Sequence, residues 1–463
     1  MADELGLDLA IDADPYANGA RPPLPASIAS KRVKRHQRTA LLFLIVSNGL
    51  NYVDRATVSI ASPLIRRDLG LSLTQIGLVM SIFLITYSLM LLPIGALVDR
   101  LKPRLMLAVG LVVWSGAQAV GGICNSFGQM AVTRVLLGIG ESPQFPSSLR
   151  VLRDWYNGRD RGFATGLFAT GSTLGVAIAA PLLTWLMLTF SWRWMFVIMA
   201  AFGVLLAIGW YVCYQDPRSV DLTAEERAYL DDGDREGAEE RNVTFAEWAG
   251  LLRFRSTWGI MLGVGTYTYL LTIYNSWLPV YLEMDRHMSI GNTGFTAAIP
   301  FIFGVFGSVL GGASVDLLTK RGFTPLESSR LVCVAGVLAA TMFTVAAAEA
   351  TTTVGAVAAM SGAVCSLYVN VAASWTLAAA VAPKSYVGSL AGMKTFGGYV
   401  GGALAPIATG YLAHATGSFE VALLVGASTG ILSALSLLVA VRRPISAEAL
   451  DKRSDLSIVG TGA

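Results

Sequence analysis

Residues 95–104 read GALVDRLKPR, and residues 311–322 read GGASVDLLTKRG. Each follows a long apolar stretch, and in each a glycine precedes an aspartate by four residues: Gly95 before Asp99, Gly312 before Asp316. A second pair of matches follows in the same order. RGFATGLFATGSTLG at 161–175 sets Gly166 nine residues before Gly175, and VGSLAGMKTFGGYVG at 387–401 sets Gly392 nine before Gly401. Two such matches, repeated at a spacing of about 220 residues, indicate an internal duplication of the kind on which two-bundle transporters are built.

Composition points the same way. Of 463 residues, 54% are hydrophobic and only 14% charged, where soluble domains carry about 25% charge. A hydrocarbon core of ~30 Å needs ~20 mostly apolar residues per helix. That rule marks spans at 39–65, 75–98, 104–124, 127–150, 162–188 and 193–214, then 256–283, 291–318, 329–348, 352–380, 387–413 and 418–441. The expected fold is therefore an all-α polytopic membrane protein with twelve transmembrane helices in two six-helix bundles. The expected layout is a disordered tail at 1–37, bundles at 38–215 and 255–443, a linker at 216–254 and a second tail at 444–463.

Lys and Arg cluster in one set of short loops, among them Arg100, Lys102, Arg104, Arg150, Arg153, Arg159, Arg161, Lys320 and Arg321, whereas the other set holds Arg66, Arg67, Arg193 and Arg286. By the positive-inside rule both termini are cytoplasmic, and the plasma (inner) membrane is the expected location. Thr223 with Glu226, and Thr244 with Glu247, fit capping boxes and predict two short linker helices, the second at the membrane interface. Cys124, Cys213, Cys333 and Cys365 have no paired spacing and read as small core residues. No nucleophile–base set or metal cluster is evident, so neither enzymatic activity, a cofactor nor a metal is expected.

The GxxxDRxxxR pattern at Gly95, Asp99, Arg100 and Arg104, its weaker copy at Gly312 and Asp316, and the six-plus-six layout resemble the major facilitator superfamily over residues 38 to 443. NYVDR at 51–55, RVLLGIGESPQFPSS at 134–148, SWRWMF at 191–196 and SWLPVYL at 276–282 resemble its anion:cation symporter branch. The resemblance implies alternating access, a small organic anion and protons as partners, surrounding lipid, a monomer and no nucleic acid.

A charge at the bilayer centre costs at least ~2.5–3.5 kcal/mol, so intramembrane ions are functional candidates. Here they are Asp54, Arg55, Arg134, Glu141 and Lys394. At 1.5 Å per residue, Asp54 and Arg134 lie roughly 9 and 7 Å from the outer boundary, at matching depth for an ion pair. Arg134 and Glu141, seven residues apart, share one helix face. The resemblance implies that Asp54 and Glu141 carry coupling protons, that Arg134 modulates Asp54, and that Arg55 clamps the substrate carboxylate. The planar fork of Arg suits that clamp. The resemblance also makes Gly95, Asp99, Arg100 and Arg104 a conformational latch.

Asn51, Tyr52, Tyr87, Tyr274, Asn275, Ser374 and Trp375 are further candidates for the cavity wall. Pro143 and Pro146 are expected to bend the fourth span. Sugar-acid carriers of the branch tend to place amides in spans 5 and 11, where this chain has Ser172 and Thr395. Lys394 is the other departure, suited to holding a second carboxylate, pairing with Glu141 or snorkelling to the inner edge. The expected function is proton-coupled import of a sugar acid such as a hexuronate or aldonate. Aromatic acids and dicarboxylates are the alternatives in class. Drug export is disfavoured because Arg55 would repel a cation.

Overall fold

The computed structural model describes residues 29–232 and 245–446. The first half comprises α1 (Lys31–Leu69), α2 (Leu73–Arg100), α3 (Pro103–Gly122), α4 (Phe127–Glu141), α5 (Gln144–Trp155), α6 (Arg161–Phe190) and α7 (Trp192–Cys213). Two short linker helices follow, α8 (Ala224–Leu230) and α9 (Phe245–Gly250). The second half comprises α10 (Arg255–Met284), α11 (Ile290–Lys320), α12 (Pro325–Glu349), α13 (Thr353–Val381), α14 (Val387–Thr416) and α15 (Glu420–Ala440).

Taking α4 and α5 as one interrupted span, each half contributes six spans, as the duplication requires. The packing repeats as well. In the first half α1 lies against α6, α3 against α7 and α2 against α4; in the second, α10 lies against α14, α12 against α15 and α11 against α13. The glycine echo has a physical basis. A Cβ on Gly175 of α6 would strike the backbone of Gly49 on α1, and one on Gly401 of α14 would strike the backbone of Gly265 on α10. Gly166 and Gly392, the other members of the motif, face open space.

Eight described helices are long and apolar enough to cross a membrane by length and composition. α1, α10, α14 and the interrupted α4–α5 fall short of that measure. They include the helices that carry Asp54, Arg55, Arg134, Glu141 and Lys394, and they complete the twelve spans.

Two boundaries differ from expectation. α1 begins at Lys31 rather than near 38, because the Ser30 side chain caps it by accepting from Val33 N at 3.1 Å. Ser30 also donates to Glu226 at 2.6 Å, docking α8 against the start of α1. With the Thr223 cap this holds the Glu226 carboxyl below the usual carboxylate range. The Thr223–Glu226 capping box forms as expected. The Thr244–Glu247 box and most of both tails lie outside the described residues. The fourth span is interrupted rather than merely bent, since α4 ends at Glu141 and α5 starts at Gln144 after Ser142–Pro143.

The halves meet through α1 with α10, α2 with α14 and α6 with α11. Their close approaches lie toward the end remote from the termini. Ser59 donates to Ser276 O at 2.7 Å and Arg66 to the Met284 sulfur at 3.1 Å. Gly77 and Gly410 press on the backbone of Pro406 and Leu73 across the same seam.

Candidate functional site

Between the halves lies a cavity of about 180 Å³, walled by α1, α2, α4 and α6 on one side and α10, α11 and α13 on the other. Its charged side chains are Arg55 and Arg134; Tyr52, Phe83, Asn275 and Tyr368 also line it.

Arg55 is held on three sides by aromatic rings. Its guanidinium carbon lies 4.9, 5.2 and 4.6 Å from the ring centroids of Tyr52, Phe83 and Tyr87, close enough for cation–π attraction. Tyr87 in turn packs on Tyr399 of α14 at 5.1 Å, so the cage is closed by the opposite half. Arg55 Nε donates to Glu141 Oε2 at 2.9 Å, with the Glu141 side chain fully buried and that of Arg55 19% exposed. That bond uses only Nε. The terminal Nη1 and Nη2 make no hydrogen bond among the described residues and belong to a side chain that lines the cavity.

Depth matching anticipated a direct Asp54–Arg134 ion pair, and the structure corrects this. Gln118 of α3 stands between them. Its Nε2 donates to Asp54 Oδ1 at 2.9 Å, and its Oε1 accepts from Arg134 Nη2 at 3.0 Å. Asp54, Gln118 and Arg134 are all buried. Glu141 Oε1 and Arg134 Nε are buried without hydrogen-bond partners. Two carboxylates and two guanidiniums thus form one buried set, with formal charges that cancel when all four are ionised.

The remaining candidates divide by helix face. Asn275 lines the cavity, but its neighbour Tyr274 is 1% exposed and shares a hydrogen bond of 2.8 Å with Thr344, inside the second half. Ser374 likewise turns inward, 3.3 Å from the Tyr267 hydroxyl. Ser172 and Thr395 donate to carbonyls of their own helices, Ala169 and Ala391. Asn51 is buried beside the cluster with an unpartnered Nδ2.

Lys394 does not pair with Glu141, which Arg55 already occupies, nor does it snorkel. It is 3% exposed, its Nζ has no hydrogen-bond partner, and it sits 3.4 Å from the Trp375 ring centroid. Trp375 is 49% exposed. Of the latch residues, Arg104 donates from Nε and Nη2 to Tyr211 O and stacks on that ring at 4.6 Å. Arg100 is exposed and a Cβ on Gly95 would meet open space; the side chain of Asp99 lies outside the described residues.

Residues 44–406 match the family described as Major Facilitator Superfamily. The chain belongs to this superfamily. It is accordingly an integral membrane protein, and its relatives are transporters. It is 38% identical to a probable L-galactonate transporter of Escherichia coli (strain K12), over 92% of this chain and 93% of the relative. It is 31% identical to a probable galactarate/D-glucarate transporter of Bacillus subtilis (strain 168), over 89% and 93%. A hexuronate transporter of the same Bacillus strain is 28% identical over 87% and 94%. These relatives fit the anion:cation symporter branch of the superfamily. The fold is shared with the crystal structure of a bacterial homologue of the human lysosomal transporter Spinster, with TM-score 0.71 and 20% identity over 92% of this chain and 98% of that one.

Proposed function

We propose that this major facilitator is a proton-coupled symporter that imports a small organic anion, a sugar acid of the hexuronate or aldonate type, by alternating access. The observation that carries the reading is the charge-balanced set of Asp54, Arg55, Arg134 and Glu141, whose two arginines line the cavity between the halves while its carboxylates lie buried behind them. Neutral as a whole, the set offers no net charge to an entering carboxylate. One added proton leaves it one positive charge, the complement of one carboxylate, so in a low-dielectric site the anion and proton favour each other. Asp54 and Glu141 are the proton sites, Arg55 the anion clamp, and Tyr52, Tyr87 and Asn275 the wall around the rest of the substrate. The names of the relatives support a sugar acid as cargo.

On this reading the chain is a monomer in the plasma membrane with both termini cytoplasmic. The bundles at 38–215 and 255–443 rock about the site, and the seam near Ser59 and Ser276 is the closed outer gate. Gly95, Asp99, Arg100 and Arg104 latch the inner side in the opposite state. The deciding experiment is uptake into proteoliposomes, under an imposed pH gradient, of a panel of hexuronates, aldonates, aldarates and aromatic acids. Accumulation of at least one sugar acid is expected to rise roughly tenfold per pH unit for each coupled proton. Anion uptake indifferent to the gradient sinks the symport reading.

A dicarboxylate reading has its own support in Lys394. A buried ammonium without a hydrogen-bond partner is costly, and a second substrate carboxylate would relieve it once Trp375 swings aside. Lys394→Gln is expected to lower aldarate uptake about tenfold more than aldonate uptake in the same vesicles. Equal effects on the two would leave Lys394 no part in substrate choice.

A further inference from the structure

Gln118 is the one uncharged member of the buried chain from Asp54 to Arg134, and its amide is oriented by both neighbours. Nε2 must face ionised Asp54, which only accepts, and Oε1 must face Arg134, which only donates. Nε2 also has longer contacts with Asp54 O at 3.4 Å and with Thr57 Oγ1 at 3.3 Å, a hydroxyl that can donate to the amide oxygen once it has turned. We propose that Gln118 is a positioning residue that converts protonation of Asp54 into release of Arg134 by a half-turn of its side-chain amide. The proposal rests on the symport reading above.

The step conserves its atoms simply. A proton from the aqueous side binds Asp54 Oδ2, the oxygen that Gln118 does not hold, and a half-turn of the carboxyl presents this O–H to Gln118, where it donates and can no longer accept the amide N–H. The amide rotates about its terminal torsion so that Oε1 accepts from Asp54. Nε2 then points at Arg134 Nη2, two donors at what was a 3.0 Å hydrogen bond, and Arg134 must leave. Its destination is already present. Glu141 lies two turns along the same face of α4, and its Oε1 is buried without a partner, as is Arg134 Nε. Arg134 and Arg55 then share Glu141, and the cavity gains the positive charge that an anion needs.

The other charged or titratable groups around the relay are Arg55, next to Asp54 on α1, Glu141 on α4, and Cys124, near Arg134 in the loop between α3 and α4. α7 presents the Phe196 ring, 5.6 Å from the Arg134 guanidinium carbon. Trp114, one turn before Gln118 on α3, has its buried indole N–H beside the Asp54 carboxyl, outside strict hydrogen-bond geometry, where it can hold Asp54 while the amide turns.

The test uses full-length protein in proteoliposomes with L-galactonate as probe. Gln118→Met keeps the volume but can neither donate nor accept as an amide does; Gln118→Leu removes the amide as well, and neither adds a charge to the set. Both are expected to lose gradient-driven accumulation, with the inside-to-outside ratio falling to about one, while counterflow exchange falls by less than about threefold. Exchange needs no proton release, so it separates coupling from assembly. If Gln118→Met accumulates as wild type does with an unchanged pH profile, the relay is overturned and symport stands. If accumulation, counterflow and thermal stability fall together in both variants, Gln118 is only structural and the relay is again overturned. Wild-type indifference to the gradient overturns relay and symport alike. An infrared readout needs no substrate: the protonated-carboxyl band that Asp54→Asn removes is expected to titrate at least half a pH unit away in Gln118→Met. An unmoved midpoint contradicts the relay.

Discussion

Asp54→Asn is expected to collapse accumulation of the transported sugar acid from roughly a hundredfold, under a two-unit pH gradient with one coupled proton, to unity. Counterflow should survive within about threefold. Asn is nearly isosteric, and its amide N–H can donate to the turned Gln118 Oε1 as a protonated Asp54 would, so a hydrogen bond in place of the 2.9 Å one persists. What is lost is the change of charge. The Asn cluster carries a permanent excess positive charge and resembles the protonated state, which binds anion and exchanges it. A carrier fixed in that state equilibrates substrate but has no proton to spend against a gradient. Uptake and counterflow measured on the same vesicle preparation separate the outcomes. Continued accumulation by Asp54→Asn would move the coupling proton to Glu141, and loss of both activities with loss of thermal stability would make Asp54 a packing residue.

The twelve spans, and the charges that matter in them, were legible because a membrane makes both conspicuous. Apolar runs of the required length cannot hide, and an ion inside one is expensive enough to be read as a candidate. Gln118 had no such signal. An amide in AQAVGG is uncharged and compatible with an ordinary helix interface, so only three-dimensional packing reveals that it separates Asp54 from Arg134. Depth along two helices is computable from sequence; what lies between them is contributed by a third.

Helix rotation explains the other discrepancies. Successive residues point about 100° apart on an α-helix, so Asn275 and Tyr274 cannot both face the cavity, and sequence alone did not choose between them. Phe83, Tyr368 and Tyr399 were missed for the complementary reason, that aromatic residues in apolar spans look like lipid anchors or core until a neighbouring guanidinium or cavity gives them a role. The interruption after Glu141 was half legible. Pro143 and Pro146 announced a disturbance, but that it would leave the carboxylate as the last residue of α4 depended on the backbone path.

Arg55→Lys is expected to raise the KM for the sugar acid by about 30- to 150-fold, with a smaller effect on kcat. In the structure one guanidinium does two jobs. Nε neutralises Glu141 at 2.9 Å, and the terminal nitrogens, fixed in position by Tyr52, Phe83 and Tyr87, are available to a carboxylate. A lysine ammonium is a single point and cannot span both partners. The loss of one hydrogen bond to a charged group, about 2–3 kcal/mol, gives the stated factor, since each ~1.4 kcal/mol is tenfold. Arg55→Met should be worse in a different way. It strands a fully buried Glu141 carboxylate, which costs about 3–5 kcal/mol if it stays ionised, so stability and transport fall together. Adding Glu141→Gln to Arg55→Met is expected to restore thermal stability without restoring uptake. Uptake restored by the double variant would show that Arg55 serves only to balance Glu141, and the anion clamp would have to be sought at Arg134 instead.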